Sequence, residues 1–104
     1  MNDQQLDRSL RSIGKECFIR YFEEFSNPRY SNEDLIEMLM TNEGYAESGS
    51  RTRVSQSRRI IKSGRAKDAL KMVCDSERLA DTVRERARTL GAAVSFPVKW
   101  TVQN

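Results

Sequence analysis

Histidine does not occur anywhere in this chain of 104 residues. Its absence removes the commonest metal ligand and the side chain that most often moves protons near neutral pH. Cysteine occurs only at Cys17 and Cys74, in no motif, and two separated thiols do not make a tetrahedral zinc site. There is no acidic loop of the EF-hand kind, no Walker-type phosphate loop and no GxSxG elbow. Neighbouring carboxylates such as Glu23 and Glu24 point apart on a helix. The expectation is a protein that is not an enzyme and uses no cofactor and no metal.

Long apolar runs are missing too, which leaves no membrane-spanning candidate, and the polar start MNDQQLDRSL is unlike a signal peptide. No membrane partner, a cytoplasmic location and reduced thiols are expected. With only two prolines and five glycines, and 38% hydrophobic residues, the composition is that of a folded domain rather than a disordered chain. The length suits one domain with a limited core.

The third absence is local. Residues 48–67, SGSRTRVSQSRRIIKSGRAK, contain seven Lys or Arg and no acid, a net of +7. Residues 1–47 carry five basic and ten acidic side chains, a net of −5, and residues 68–104 a net of +1. The excess positive charge of the chain therefore sits in one short segment.

Periodicity predicts a mainly α fold, a small bundle of about five helices. Leu6, Leu10, Ile13, Cys17, Tyr21 and Phe25 recur at steps of three and four, with Phe18 and Phe22 widening the stripe. One long helix over 4–25 is expected, with Gly14 tolerated inside it and Asn27-Pro28 stopping it. Cys17 lies in the stripe and reads as a buried thiol. Ser31 to Asp34 has the form of a capping box, opening a second helix through Met40 that Thr41 to Gly44 ends. A third helix is expected from Ser48 or Ser50 to just before Gly64, and a short fourth from Ala66 to Val73. A fifth starts near Ser76, presents Leu79, Val83, Ala87 and Leu90, and closes at Gly91.

Beyond Gly91 the period changes. Val94, Phe96, Val98, Trp100 and Val102 alternate with polar residues or Pro97, the pattern of a strand with one apolar face. The domain division is accordingly a helical domain over 1–91 and a strand or extended arm over 92–104. No second strand is offered by the rest of the chain, and an unpaired strand needs backbone partners. Pairing with its twin in a homodimer, addition to another protein's sheet, and an arm laid over the helices all remain open.

On a helical wheel Val54, Ser57 and Ile61 fall together, while Arg51, Ser55, Arg58 and Lys62 gather elsewhere, with Arg59 and Arg65 extending that stripe. Arg53 lies nearer Ile60. A solvated face usually interleaves acids with bases, and this one does not. Five of the seven are arginine, which forks onto phosphates and guanine edges. The candidate nucleic-acid-binding residues are Ser50, Arg51, Thr52, Arg53, Ser55, Arg58, Arg59, Lys62, Arg65 and Lys67. The competing use of the stripe is pairing with the acids of residues 1–47.

A long helix, a short capped one and a basic amphipathic one, over residues 6–64, resemble helix-turn-helix DNA-binding domains. The resemblance implies that Leu35, Ile36 and Leu39 pack the supporting helix and Val54 and Ile61 the recognition helix. It places Ser50, Arg51, Thr52, Ser55 and Arg58 against DNA and Lys62, Arg65 and Lys67 on phosphates. One departure stands out: the span from Met40 to Ser50 reads longer than the usual three- or four-residue turn. The resemblance implies a small transcriptional regulator that binds double-stranded DNA, as a homodimer through residues 92–104. RNA is a weaker partner, because residues 48–67 offer no aromatic stacking platform. The alternative is a non-enzymatic interaction module, an adaptor or inhibitor, that binds through the C-terminal strand.

Overall fold

A computed structural model describes residues 1–94, and over these the chain is helical, with seven helices. The expected strand lies almost wholly in residues 95–104, outside the described residues.

The anticipated single helix over 4–25 is three: α1 (Asp3–Ile13), α2 (Lys15–Arg20) and α3 (Phe22–Phe25). Asn2 and Gln5 open α1 with a reciprocal capping box. Gly14 interrupts the run at φ 90°, a conformation that L side chains avoid, and Tyr21 interrupts it again at φ −111°, ψ 18°. The residues around the second break are densely buried. Cys17, Phe18 and Ile19 are consecutive and all buried, as are Tyr21 and Phe22. Cys17, Phe18 and Ile19 point about 100° apart within α2, so this short helix is covered on more than one side. The two breaks re-aim the short helices so that Phe18 meets Phe22 edge-on at 5.4 Å and stacks near Phe25 at 6.4 Å.

The predicted capping box of α4 (Asn32–Glu43) is present: Asp34 N–H donates to Ser31 Oγ and Ser31 N–H to Asp34 Oδ2, both at 3.0 Å. The helix ends on Gly44, left-handed at φ 73°, and α5 (Glu47–Lys62) begins after the N-cap Ala46. The connection is therefore Gly44 to Ala46, three residues, shorter than the sequence suggested. Thr41, Asn42 and Glu43 continue α4 instead of forming the turn, and α5 starts before both serines expected to cap it.

The last two helices are α6 (Ala66–Cys74) and α7 (Asp81–Ala93). The latter starts five residues after Ser76, and Gly91 does not close it but lies within it. A Cβ at Gly91 would meet Leu70 Cβ of α6 at 4.0 Å, so the glycine marks the α6–α7 contact. Packing joins α1 to α5, α4 to α5 and α6 to α7. The fully buried centre draws on every helix: Leu6, Leu10, Phe18, Phe25, Leu35, Leu39, Val54, Ile60, Leu70, Val73 and Ala87. No helix among the described residues is long and apolar enough to cross a membrane.

Candidate nucleic-acid interface

The basic helix α5 sits between α1 and α4 and buries Ser50, Val54, Ser57, Arg58, Ile60 and Ile61. Two of the residues expected to face outward are therefore placed inward. Ser50 is 0% exposed and Arg58 only 8%. The wheel grouped Arg58 with Arg51 and Lys62, but the end of α3 covers that part of α5. Arg58 Nε donates to the Phe25 carbonyl at 3.2 Å, Nη2 to the Asn27 carbonyl at 2.9 Å and Nη1 to Asn32 Oδ1 at 2.9 Å. One guanidinium thus ties the carbonyls that end the first helical arm to the start of α4, where helix ends otherwise leave acceptors without partners. Burial lowers its pKa from the usual arginine value.

Arg53 is also turned inward. Its Nε donates to the Ile13 carbonyl at 3.0 Å and its guanidinium lies 3.8 Å from the centre of the Tyr45 ring, a cation–π contact. The Ile13 carbonyl lies beside the Gly14 break, so Arg53 fastens the α1–α2 joint to the α4–α5 connection. Cys17, in this neighbourhood, is buried as expected, and burial pushes its thiol pKa up, away from reactivity.

Acids from residues 1–47 do meet part of the stripe. Arg51 stays exposed but bonds Glu47 at 2.9 Å and Glu33 at 3.0 Å. Arg65 is the N-cap residue of α6, not part of α5, and bonds Asp3 at 2.5 Å, Asp68 at 2.8 Å and the Met1 carbonyl. Lys67 lies on α6 and lines a separate groove, floored by Leu70, Cys74, Ala87 and Gly91, with Asp68 beside it.

Besides the paired Glu47 and Arg51 of its first turns, α5 keeps Ser48, Thr52, Ser55, Arg59 and Lys62 exposed. Arg59 has no carboxylate partner among the described residues. It stands between two shallow depressions. One, of about 520 Å³, is lined by Asn32, Ser55, Arg58, Arg59, Lys62 and Ser63. The other, of about 220 Å³, is lined by Gln5, Arg8, Ser9, Ser12, Gln56 and Arg59. No carboxylate lines either.

No protein-family model matches this chain, and no curated protein or solved structure matches it. The geometry alone therefore bears on function. It gathers Thr52, Ser55, Arg59 and Lys62 on one face, leaves Arg51 at its rim among acids and Arg58 only as a mostly buried wall of one depression, and removes Ser50, Arg53, Arg65 and Lys67 from it. It adds Arg8, Gln5 and Ser12 of α1, none of which the sequence reading singled out. Arg8 was hidden by composition, because it belongs to the acidic part of the chain. The local signal that remained was its position off the Leu6–Leu10–Ile13 stripe, which fits any solvated arginine.

Proposed function

We propose that this protein binds duplex DNA through the exposed face of α5, as a small regulator with a helix-turn-helix-like unit formed by α4 and α5. The observation that carries the reading is exposed Arg59 between two depressions that no carboxylate among the described residues lines, with Thr52, Ser55 and Lys62 along the same helix. Hydroxyls and basic groups on one exposed helix face suit the combination of phosphate neutralisation and groove contact. The three-residue connection opening on left-handed Gly44 supports it as well, since turns of three or four residues containing glycine join the helices of such units.

The interface differs from the one expected from sequence. Arg58 holds the scaffold, and Arg59 with Lys62 takes the phosphate contacts. Arg51 contributes less, because binding must displace or tolerate Glu33 and Glu47. Fluorescence anisotropy with a random duplex across a salt series tests this. The wild-type chain should lose affinity steeply with salt, and Arg59→Glu should weaken binding by about tenfold or more at low salt, alike for all sequences. Equal affinity of the two proteins refutes the assignment of this face.

A further inference from the structure

The depression between α1 and α5 has a donor-rich lining in which both amide oxygens already accept hydrogen bonds. Gln5 Oε1 accepts the Asn2 backbone N–H at 3.0 Å, and Gln56 Oε1 accepts the Ser9 hydroxyl at 2.8 Å. Each of these amides keeps an NH2 group with two donors, and no described residue accepts from either. Ser12 adds an exposed hydroxyl. Arg8 and Arg59 bring two guanidinium groups, neither with a carboxylate partner among the described residues. The two acids of α1 are engaged elsewhere, Asp7 with Arg11 at 3.0 Å and Asp3 with Arg65 at 2.5 Å. Two like charges at one rim, with spare N–H donors between them, suit a ligand that is anionic and made of acceptors.

We infer that this α1–α5 depression is a phosphate seat, in which Arg8 and Arg59 bracket one phosphodiester of a bound DNA backbone while the Gln5 and Gln56 amides donate to its oxygens. The inference rests on the duplex-binding reading and extends it to α1, which the helix-turn-helix pattern alone does not involve. Arg59 belongs to both contacts, because it also lines the depression on the far side of α5. The guanidinium fork suits a phosphodiester better than a point charge does. Because the seat touches backbone and no base, its contribution is independent of sequence.

The test compares the full wild-type chain with Arg8→Gln, a substitution at an exposed position whose side chain makes no hydrogen bond or ion pair among the described residues. Equal thermal midpoints establish equal folding. In anisotropy titrations with random duplex DNA over a salt series, the variant should bind about three- to tenfold more weakly at low salt, with its log–log salt slope reduced by about 0.9, the value for one phosphate. A wild-type protein that binds duplex with an Arg8→Gln slope unchanged overturns the seat and leaves the α5 face standing. A wild-type protein with no duplex affinity removes both. A parallel titration with inorganic phosphate separates a DNA backbone from a free small anion. Competition by millimolar phosphate well beyond its ionic-strength effect, lost in Arg8→Gln, overturns the backbone assignment.

Discussion

Arg58 and Arg59 are neighbours with the same side chain, and the fold puts them to opposite uses. Arg58 is buried and spends its donors on the Phe25 and Asn27 carbonyls and on Asn32, holding the end of α3 to the start of α4. Arg59, about 100° further round the helix, looks outward between two depressions lined without a carboxylate. The inward face of α5 carries architecture and the outward face carries the available charge. Residue type does not distinguish these roles. The difference lies in what the neighbouring helices place opposite each position.

The contrast predicts a ladder of effects on stability. Arg58→Ala should be the most damaging, at about 3 kcal/mol by urea denaturation, because it leaves buried oxygens without donors as well as opening space. Arg58→Lys should recover little of this, since an ammonium does not reproduce the three-way fork. A midpoint close to that of wild type for either variant would show that the clamp is not structural. Any loss of DNA affinity in these variants should follow the unfolded fraction, whereas in Arg59→Glu the fold should persist while binding falls.

Next comes a polar contact away from α5. The Tyr21 hydroxyl donates to Glu43 Oε2 at 2.6 Å, and Arg20 bonds the other oxygen at 2.8 Å. Tyr21→Phe should cost about 1 kcal/mol. Burial and the hydrogen bond to Glu43 push the Tyr21 pKa up to about 12, from an ordinary value of 10.0. A raised folded-state pKa stabilises the fold fully below the unfolded value and loses that contribution as the pH rises through the folded one. Wild-type stability should therefore fall between about pH 10 and 12 by more than that of Tyr21→Phe. The Tyr21 hydroxyl lowers the Glu43 pKa, with Arg20 assisting against burial, so that contribution is present above the ordinary carboxylate value and fades as the pH drops. Parallel curves for the two proteins at high pH would remove the Tyr21–Glu43 account.

The smallest effects belong to the exposed arginines. Arg51→Ala should change stability by about 0.5 kcal/mol or less, because its partners Glu33 and Glu47 are themselves 69% and 59% exposed. Arg59→Gln should be as mild, within about 0.5 kcal/mol, since it makes no hydrogen bond or ion pair among the described residues. A thermal midpoint well below wild type for Arg59→Gln would place this side chain in the scaffold with Arg58 and erase the contrast.

Much of the helical layout was legible from local signals. The Ser31–Asp34 capping box, Gly44 and Gly64 each carry their chemistry within a few residues, and each lies at a helix boundary. Gly14 gave the opposite lesson. Its propensity cost alone did not decide between a tolerated glycine and a break, and the chain does break there, with Gly14 at φ 90° between α1 and α2. Gly91 erred the other way: the residue type suggested a stop, yet α7 continues through it, and a Cβ there would meet Leu70 only at ordinary van der Waals distance. The α4–α5 turn was misjudged for a similar reason, because Thr41, Asn42 and Glu43 favour turns locally yet extend α4.

The sequence by itself determined that residues 48–67 hold the concentrated positive charge, that Val54 and Ile61 anchor the helix carrying most of it, and that the described chain is mainly helical. These follow from composition and period, which neighbours do not alter. Which arginines remain available was decided only in three dimensions. Arg58 met carbonyls, Arg53 an aromatic ring and Arg51 two carboxylates, all contributed by residues 13–47, while Arg8 came from that same acidic part to stand beside Arg59. A charge acts through its surroundings, and the surroundings of α5 are other helices.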